Sequence, residues 1–216
     1  MKVEGGSQTL ARGLRAVMLI GDAETPLTVA ELATQLDIHR SMAYRLVATL
    51  EQFGFVERNQ AGRLELGLRI AGLARTVASD LQSVAAPQLQ LIADELQVTA
   101  FIVVYDGEAA VTLQNALPRD SIATVAQRPG SRHTIDRGAP GRVIRSQLLP
   151  DEFPPKTFEY SEDEVIPGLS SYAVPLAVPS SRPVALAIIF PPQPVDEALF
   201  VRTLQAAAGR ITEGLR

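Results

Sequence analysis

Thr28 to Gly54 reads TVAELATQLDIHRSMAYRLVATLEQFG. Val29, Leu32, Ala33 and Leu36 recur at spacings of three and four, and so do Ala43, Leu46, Val47 and Leu50. That period marks two amphipathic helices, joined through Leu36-Asp37-Ile38-His39. Thr28, with Glu31 three residues on, has the form of a capping box for the first. On the second, Arg40, Ser41, Tyr44 and Arg45 fall together on the face opposite the apolar stripe. One helix would brace while the next offers its first turns to a DNA major groove, the helix-turn-helix layout. On this stretch alone a helical hairpin with a solvated charged face fits equally.

The flanks decide between the two. Upstream, Leu10, Leu14, Val17 and Met18 form a stripe over Thr9–Gly21, predicting a helix entered from Ser7 with Arg12 and Arg15 exposed. Downstream, two short alternating runs, Phe55–Arg58 and Arg63–Leu66, surround the turn Asn59-Gln60-Ala61-Gly62 and predict a β-hairpin. Three helices and a hairpin make a winged helix. Arg58 and Arg63 flank the hairpin, placed either to reach DNA or to pair with Glu57 and Glu65. Leu66–Leu81 is read as a linker helix, with Leu68, Ala71, Gly72, Arg75 and Val77 as candidate dimer contacts, and Val84–Leu96 as a further helix.

Proline separates this part from the rest. Only Pro26 lies in the first 80 residues, and the other 14 of 15 lie from Pro87 onward. Because proline removes an N–H and clashes with the preceding turn, the first third should be helical. The remainder shifts to strands at Thr99–Tyr105, Ala110–Gln114, Ile122–Val125, Tyr172–Val178 and Val184–Phe190. The loop Asp136–Gly141 leads into a helix over Arg142–Gln147, and Val195–Leu215 closes the chain as a helix. Helices covering one side of the strands give an α+β domain.

Composition excludes several classes. Of 216 residues 46% are hydrophobic and 20% charged, which describes a globular chain. No run reaches the ~20 apolar residues of a membrane span, and Met1–Gly6 lacks the apolar core of a secretory signal, so the cytoplasm is expected and no membrane partner. Without cysteine there is no disulfide, thiolate ligand or thiol nucleophile. The net charge of −4 falls entirely on residues 71–216, since residues 1–70 carry 8 basic and 8 acidic side chains. Phosphate affinity would therefore rest on a few placed arginines. An enzyme is the competing class: Ser131, His133, Asp136 and Arg137 lie close in sequence. With two histidines in all, no Gly-x-Ser-x-Gly elbow and no paired-histidine metal spacing, neither a catalytic nor a metal site is expected, nor any cofactor.

Taken together, these residues resemble the isocitrate lyase regulator (IclR) family of bacterial transcription factors over nearly the whole chain. The N-terminal likeness rests on Gln8–Leu14, His39–Leu46, Leu50–Gly54 and Glu65-Leu66-Gly67. The C-terminal likeness rests on Gly138–Arg142, Glu164–Leu169 and Ala173-Val174-Pro175. Each is weak singly; their order and spacing are specific. The resemblance implies an α+β chain with a winged helix-turn-helix domain at 1–67, a linker helix at 68–83 and a GAF-like effector domain at 84–216. It implies a regulator, a repressor in the first reading, bound to palindromic double-stranded DNA as a homodimer or a dimer of dimers. The DNA-contacting set would be Arg12, His39, Arg40, Ser41, Met42, Tyr44, Arg45, Arg58 and Arg63.

Relatives sense small organic acids such as glyoxylate, pyruvate or hydroxylated benzoates, and the matching effector positions here are Gly138, Ala139, Ser161, Ser171, Ala187 and Ile189. Two departures stand out. The family places a helix and a strand between positions matching Leu149 and Tyr160, and this chain is shorter there. Where relatives carry a serine pair on the last strand stand Ala187 and Ile189, and in the amide loop Pro140 supplies no N–H. An apolar-lined pocket suits a more hydrophobic or aromatic ligand, or a C-terminal domain that serves only dimerisation.

Overall fold

The computed structural model describes residues 6–120, 127–179 and 182–216, and these divide into two compact units, Met1–Val77 and Ala78–Arg216. The expected strand Ile122–Val125 lies outside the described residues. Among the described residues no helix is long and apolar enough to cross a membrane.

The first unit holds α1 (Gln8–Asp22), α2 (Val29–Gln35), α3 (Arg40–Gln52), the hairpin β1 (Val56–Arg58) and β2 (Leu64–Leu66), and α4 (Arg69–Ala74). Local chemistry sets each boundary. The Ser7 hydroxyl accepts from the Leu10 amide at 3.3 Å. At α2 the capping box is complete: the Glu31 amide donates to Thr28 Oγ1 at 3.2 Å and the Thr28 amide to the Glu31 carboxylate at 2.7 Å. Asp37 takes a left-handed φ of 52° to turn the chain between α2 and α3. Gly54, with φ of 73°, ends α3 as a left-handed C-terminal residue should. Asn59 Oδ1 accepts from the amides of Ala61 and Arg63 and closes the wing turn, while Leu64 pairs back onto Leu27.

Leu32, Val47 and Leu64 are fully enclosed at the centre of this unit, with Ala16 and Ile20 of α1 against them. The stripe of α1 read from sequence faces outward instead. Leu10, Leu14 and Met18 are all more than half exposed, and the helix packs inward through Gly13, Ala16 and Ile20. Ala16 and Ile20 make the contact with the core, and the other large side chains of α1 stay outside.

The linker helix also differs from expectation. Leu66–Leu81 is not one helix: α4 stops at Ala74, and Ala78 is left-handed with φ of 48°. No residue of α4 is buried, so packing does not hold the helix, and the β-branched pair Thr76-Val77 follows at once. The next helix, α5 (Ser79–Leu96), is continuous through Pro87. Leu81, Ala85, Leu89, Ile92 and Leu96 are buried along it, and that burial offsets the hydrogen bond proline removes.

The second unit continues with β3 (Thr99–Tyr105), β4 (Ala110–Ala116), β5 (Arg132–His133), α6 (Gly138–Leu148), β6 (Glu159–Glu162), β7 (Ser170–Pro175), β8 (Val184–Phe190) and α7 (Glu197–Gly214). The strands form one antiparallel sheet in the order β5-β4-β3-β8-β7-β6. Helices cover both faces of this sheet, not one. Ile102, Val174, Leu186, Ile188 and Phe190 pack under α5 and α7, while Phe101, Val103, Ala173, Ala185 and Ala187 face α6. Every residue of β8 is buried, the continuous apolar run of a strand enclosed on two sides. Along β7 and β8 large side chains face α5 and α7, while Ala173, Ala185 and Ala187 face α6.

Helix α6 starts at Gly138, four residues before the expected start at Arg142. Pro140 fits there because a first-turn residue needs no N–H partner within the helix.

Candidate nucleic-acid interface and effector cavity

At the start of α3 the sequence period separates two faces cleanly. Ala43, Leu46 and Val47 are buried, whereas Arg40, Ser41, Met42, Tyr44 and Arg45 are exposed. His39 caps the helix, its Nδ1 accepting from the Ser41 amide at 3.3 Å. The first turn carries no acidic residue, so the positive end of the helix dipole is uncompensated. The Arg40 guanidinium lies 5.7 Å from the Tyr44 ring centroid and contacts its hydroxyl at 3.4 Å. Arg12 Nη1 of α1 approaches Met42 Sδ at 3.5 Å, which places a third cation beside the same turns. Arg45 has no ion-pair partner among the described residues.

The wing arginines do not take the cross-strand partners Glu57 and Glu65. Arg58 pairs with Glu51 of α3 at 2.9 Å, and Arg63 donates to the Pro26 carbonyl at 2.9 Å with Glu31 at 3.6 Å. Glu65 is taken by Asn59 at 2.6 Å. Both arginines tie the wing to the helices rather than bridging across the hairpin.

In the second unit a small cavity of about 40 Å³ opens at the start of α6. Phe101 and Ile189 line it from the sheet, Ser161 and Ser171 from β6 and β7, and Val165, Ile166 and Leu169 from the turn between those strands. Gln127, His133, Glu164, Gly138 and Pro140 complete it. Gly138 is left-handed, with φ of 76°, and an added Cβ would meet Val165 Cγ2 at 2.7 Å, so only glycine fits.

Both amides that open α6 are already bonded. The Gly138 N–H donates to the Glu164 carboxylate at 2.8 Å and the Ala139 N–H to Ser161 Oγ at 2.9 Å. Arg142 Nη1 donates to both Glu164 oxygens, at 2.8 and 2.6 Å, and its Nε to Glu159 at 3.1 Å. Arg137 donates to the Glu164 carbonyl. The hydrogen bond from Arg142 holds the Glu164 carboxyl below the usual range; burial opposes it and the Gly138 amide assists. Burial lowers the His133 imidazole, whose buried Nε2 has no partner.

Of the residues expected at an effector site, Gly138, Ser161, Ser171 and Ile189 line the cavity. Ala139, whose amide donates to Ser161, and Ala187 lie in the adjoining packing under α6 without lining it. Phe101, His133 and Glu164 were not expected. Phe101 is legible as an alternate position of β3, and Glu164 lies inside the quoted Glu164–Leu169 segment. Nothing in the sequence ties His133 to either.

The IclR helix-turn-helix domain matches residues 9–60, the span from α1 through the wing turn. Those residues therefore carry an IclR helix-turn-helix domain. It is 26% identical over 128 residues to the HTH-type transcriptional regulator KipR of Bacillus subtilis, covering 58% of this chain and 51% of that one. It is 28% identical over 154 residues to the acetate operon repressor of Salmonella typhimurium, covering 69% and 56%. The matches thus span about half the length of these curated relatives. Among solved structures, an IclR homologue from Microbacterium hydrocarbonoxydans, complexed with 4-hydroxybenzoate, superposes with a TM-score of 0.82 at 20% identity, covering 97% of this chain and 99% of that one. The α+β architecture is therefore the IclR one across both units. The matched relatives named here are transcriptional regulators, not enzymes.

Proposed function

We propose that this protein is a sequence-specific DNA-binding transcriptional regulator, a cytoplasmic repressor, whose operator binding is modulated by a small organic ligand in the C-terminal unit. The observation that carries the reading is the outward face of α3. Arg40, Ser41, Tyr44 and Arg45 stand free of the core on the helix that the IclR helix-turn-helix match includes. Arg40 and Arg45 read guanine edges or clamp phosphates, Ser41 and His39 bond phosphate oxygens, and Met42 meets a thymine methyl. Arg12, Arg58 and Arg63 supply backbone contacts from α1 and the wing. Residues 1–67 form the reader, 68–83 the linker and 84–216 the effector and oligomerisation domain. Exposed Leu68, Leu73 and Val77 on the linker support a homodimer or a dimer of dimers on a palindromic site. The repressor role follows the acetate operon repressor, and the ligand role follows the 4-hydroxybenzoate complex.

A bidentate arginine–guanine pair is worth about 1–3 kcal/mol. Selection of binding sites from random DNA, followed by footprinting, tests the assignment. Arg40→Ala or Arg45→Ala should flatten preference at one position of each half-site. Loss of a phosphate contact should instead weaken all sequences alike and lower the salt dependence. Unchanged footprints in both variants would remove α3 as the reading helix.

The small cavity favours a second reading, in which the C-terminal unit only dimerises. A thermal-shift screen with small aromatic and aliphatic compounds separates the two, because a ligand of the native state raises its stability.

A further inference from the structure

An exposed arginine carries a long, freely rotating side chain, and holding it still on DNA costs entropy. Arg40 is held before any DNA arrives. It opens α3, and Tyr44 stands one turn later, a spacing at which helical side chains meet. Helical side chains lean toward the N-terminus, so the Tyr44 ring lies over the turn that carries Arg40. The guanidinium carbon is 5.7 Å from the ring centroid, and Nη2 donates to the Tyr44 hydroxyl at 3.4 Å. Ala43, Leu46 and Val47, buried on the other face, fix the rotation of the helix beneath both side chains. Tyr44 is itself 45% exposed, so its ring is not there to fill the core.

The wing arginines are held by different chemistry. Glu51 takes Arg58 at 2.9 Å, and Glu31 stands 3.6 Å from Arg63. A carboxylate neutralises the arginine it holds and competes with whatever the arginine meets next. An aromatic ring holds the guanidinium through its face and leaves the charge, and most of the N–H donors, unspent. Resting on the reading of α3 as the helix that enters the major groove, we infer that Tyr44 is a positioning residue for Arg40: it presets the guanidinium fork, and Arg40 so held reads guanine. The first residues of a recognition helix are those that meet base edges, and a planar fork fits the paired acceptors O6 and N7. Because part of the ordering cost is met in the free protein, more of the fork's hydrogen bonding appears as discrimination between bases.

Binding-site selection and competition titrations on the full chain test this with Arg40→Ala, Tyr44→Leu, Tyr44→Phe and the double variant Arg40→Ala/Tyr44→Leu. Arg40→Ala should flatten one guanine position of each half-site. Tyr44→Leu should relax the same position, cutting discrimination there about two- to fivefold, while Tyr44→Phe, which keeps the ring, retains most of it. In the double variant the Tyr44 change should add nothing at that position, since no guanidinium is left to hold. Three results overturn the inference: Tyr44→Leu as selective as the parent at that position, Tyr44→Leu relaxing a different position, or Tyr44→Leu weakening all sequences alike, as loss of a hydroxyl–phosphate contact would. A second measurement needs no DNA. The Arg40 Nε–H resonance of the free protein should carry a ring-current shift that Tyr44→Leu abolishes and Tyr44→Phe keeps; the same resonance in parent and Tyr44→Leu also overturns the inference. Footprints unchanged in both Arg40→Ala and Arg45→Ala remove the reading helix and this inference with it, whereas a position flattened by Arg40→Ala and untouched by Tyr44→Leu removes the inference alone.

Discussion

Replacing Gly67 by alanine should destabilise the winged-helix unit, while the same replacement at Gly13 should stabilise it. Gly67 is buried where the chain leaves the wing and meets the end of α3. Its amide donates to the Phe55 carbonyl at 2.9 Å, and the Arg69 amide donates to the Gly54 carbonyl at 3.3 Å. An alanine Cβ would stand 2.8 Å from the Gly54 carbonyl carbon and 3.2 Å from that of Phe55, and closer still to the Gly54 oxygen. These are backbone atoms, and Gly54 is itself held left-handed, so no side chain can swing clear. The strands of contact must part by several tenths of an ångström, weakening two hydrogen bonds worth about 1 kcal/mol each and adding overpacking strain; the sum is about 2–4 kcal/mol. Gly13 lies inside α1, and a Cβ there meets nothing within 4 Å. Alanine at that position should gain about 0.5–1 kcal/mol through reduced freedom of the unfolded chain. Urea unfolding of the full chain, read by hydrogen exchange in peptides from α1 to the wing, measures both. Shifts of the same sign, or a Gly67→Ala midpoint equal to that of the parent, would refute the packing argument.

Three further outcomes follow. Thr28→Ala should cost the first unit about 1 kcal/mol, and Thr28→Ser much less, since α2 has only seven residues and its capping box is complete; urea midpoints give the difference. Tyr172 is pushed up to about 12, first by burial and then by its hydrogen bond to Glu197. Its folded-state value lies above the unfolded one of about 10, so its contribution is full below pH 10 and fades as pH rises through 12; a Tyr172→Phe variant should lack the last step of an ultraviolet phenolate titration. Arg58→Ala should lower stability through loss of Glu51 while altering base preference less than Arg45→Ala, which binding-site selection with both variants compares.

Much of the fold is legible as period. The helix-turn-helix has apolar residues at three and four, the capping box is spelled out in Thr28 and Glu31, and β3 and β8 appear with their bounds. What escaped was set by partners outside the local window. The stripe of α1 reads as a core face, yet Ala16 and Ile20 go inside, because the elements packed against α1 decide which of its sides is covered. The linker reads as one helix because nothing in Arg75–Ala78 is proline or glycine, and its break reflects a helix with no buried face. Two short edge strands, β5 and β6, carry too few residues for a period. In the cavity, the serines and Gly138 are legible by resemblance, whereas His133 arrives from an edge strand and Glu164 from a turn. Only the tertiary fold brings them to one place.

The two units use the same physical feature in opposite ways. A helix start offers unpaired N–H groups and a positive dipole end to whatever anion reaches it. At α3 that start holds no carboxylate: no acidic residue occupies the first turn, His39 engages the Ser41 amide, and Arg40 adds positive charge facing solvent. Nothing local competes with a phosphate, so a reading helix in a unit of balanced charge can still hold DNA through placement. At α6 the start is closed: Glu164, Ser161 and Pro140 account for the donors, and Arg142 is neutralised by two glutamates. The sheet beneath makes closure possible, because Ala173, Ala185 and Ala187 let α6 settle until its first turn reaches the Glu159–Glu164 segment. On the reading proposed above, the start of α3 is the end that would face the phosphates of DNA.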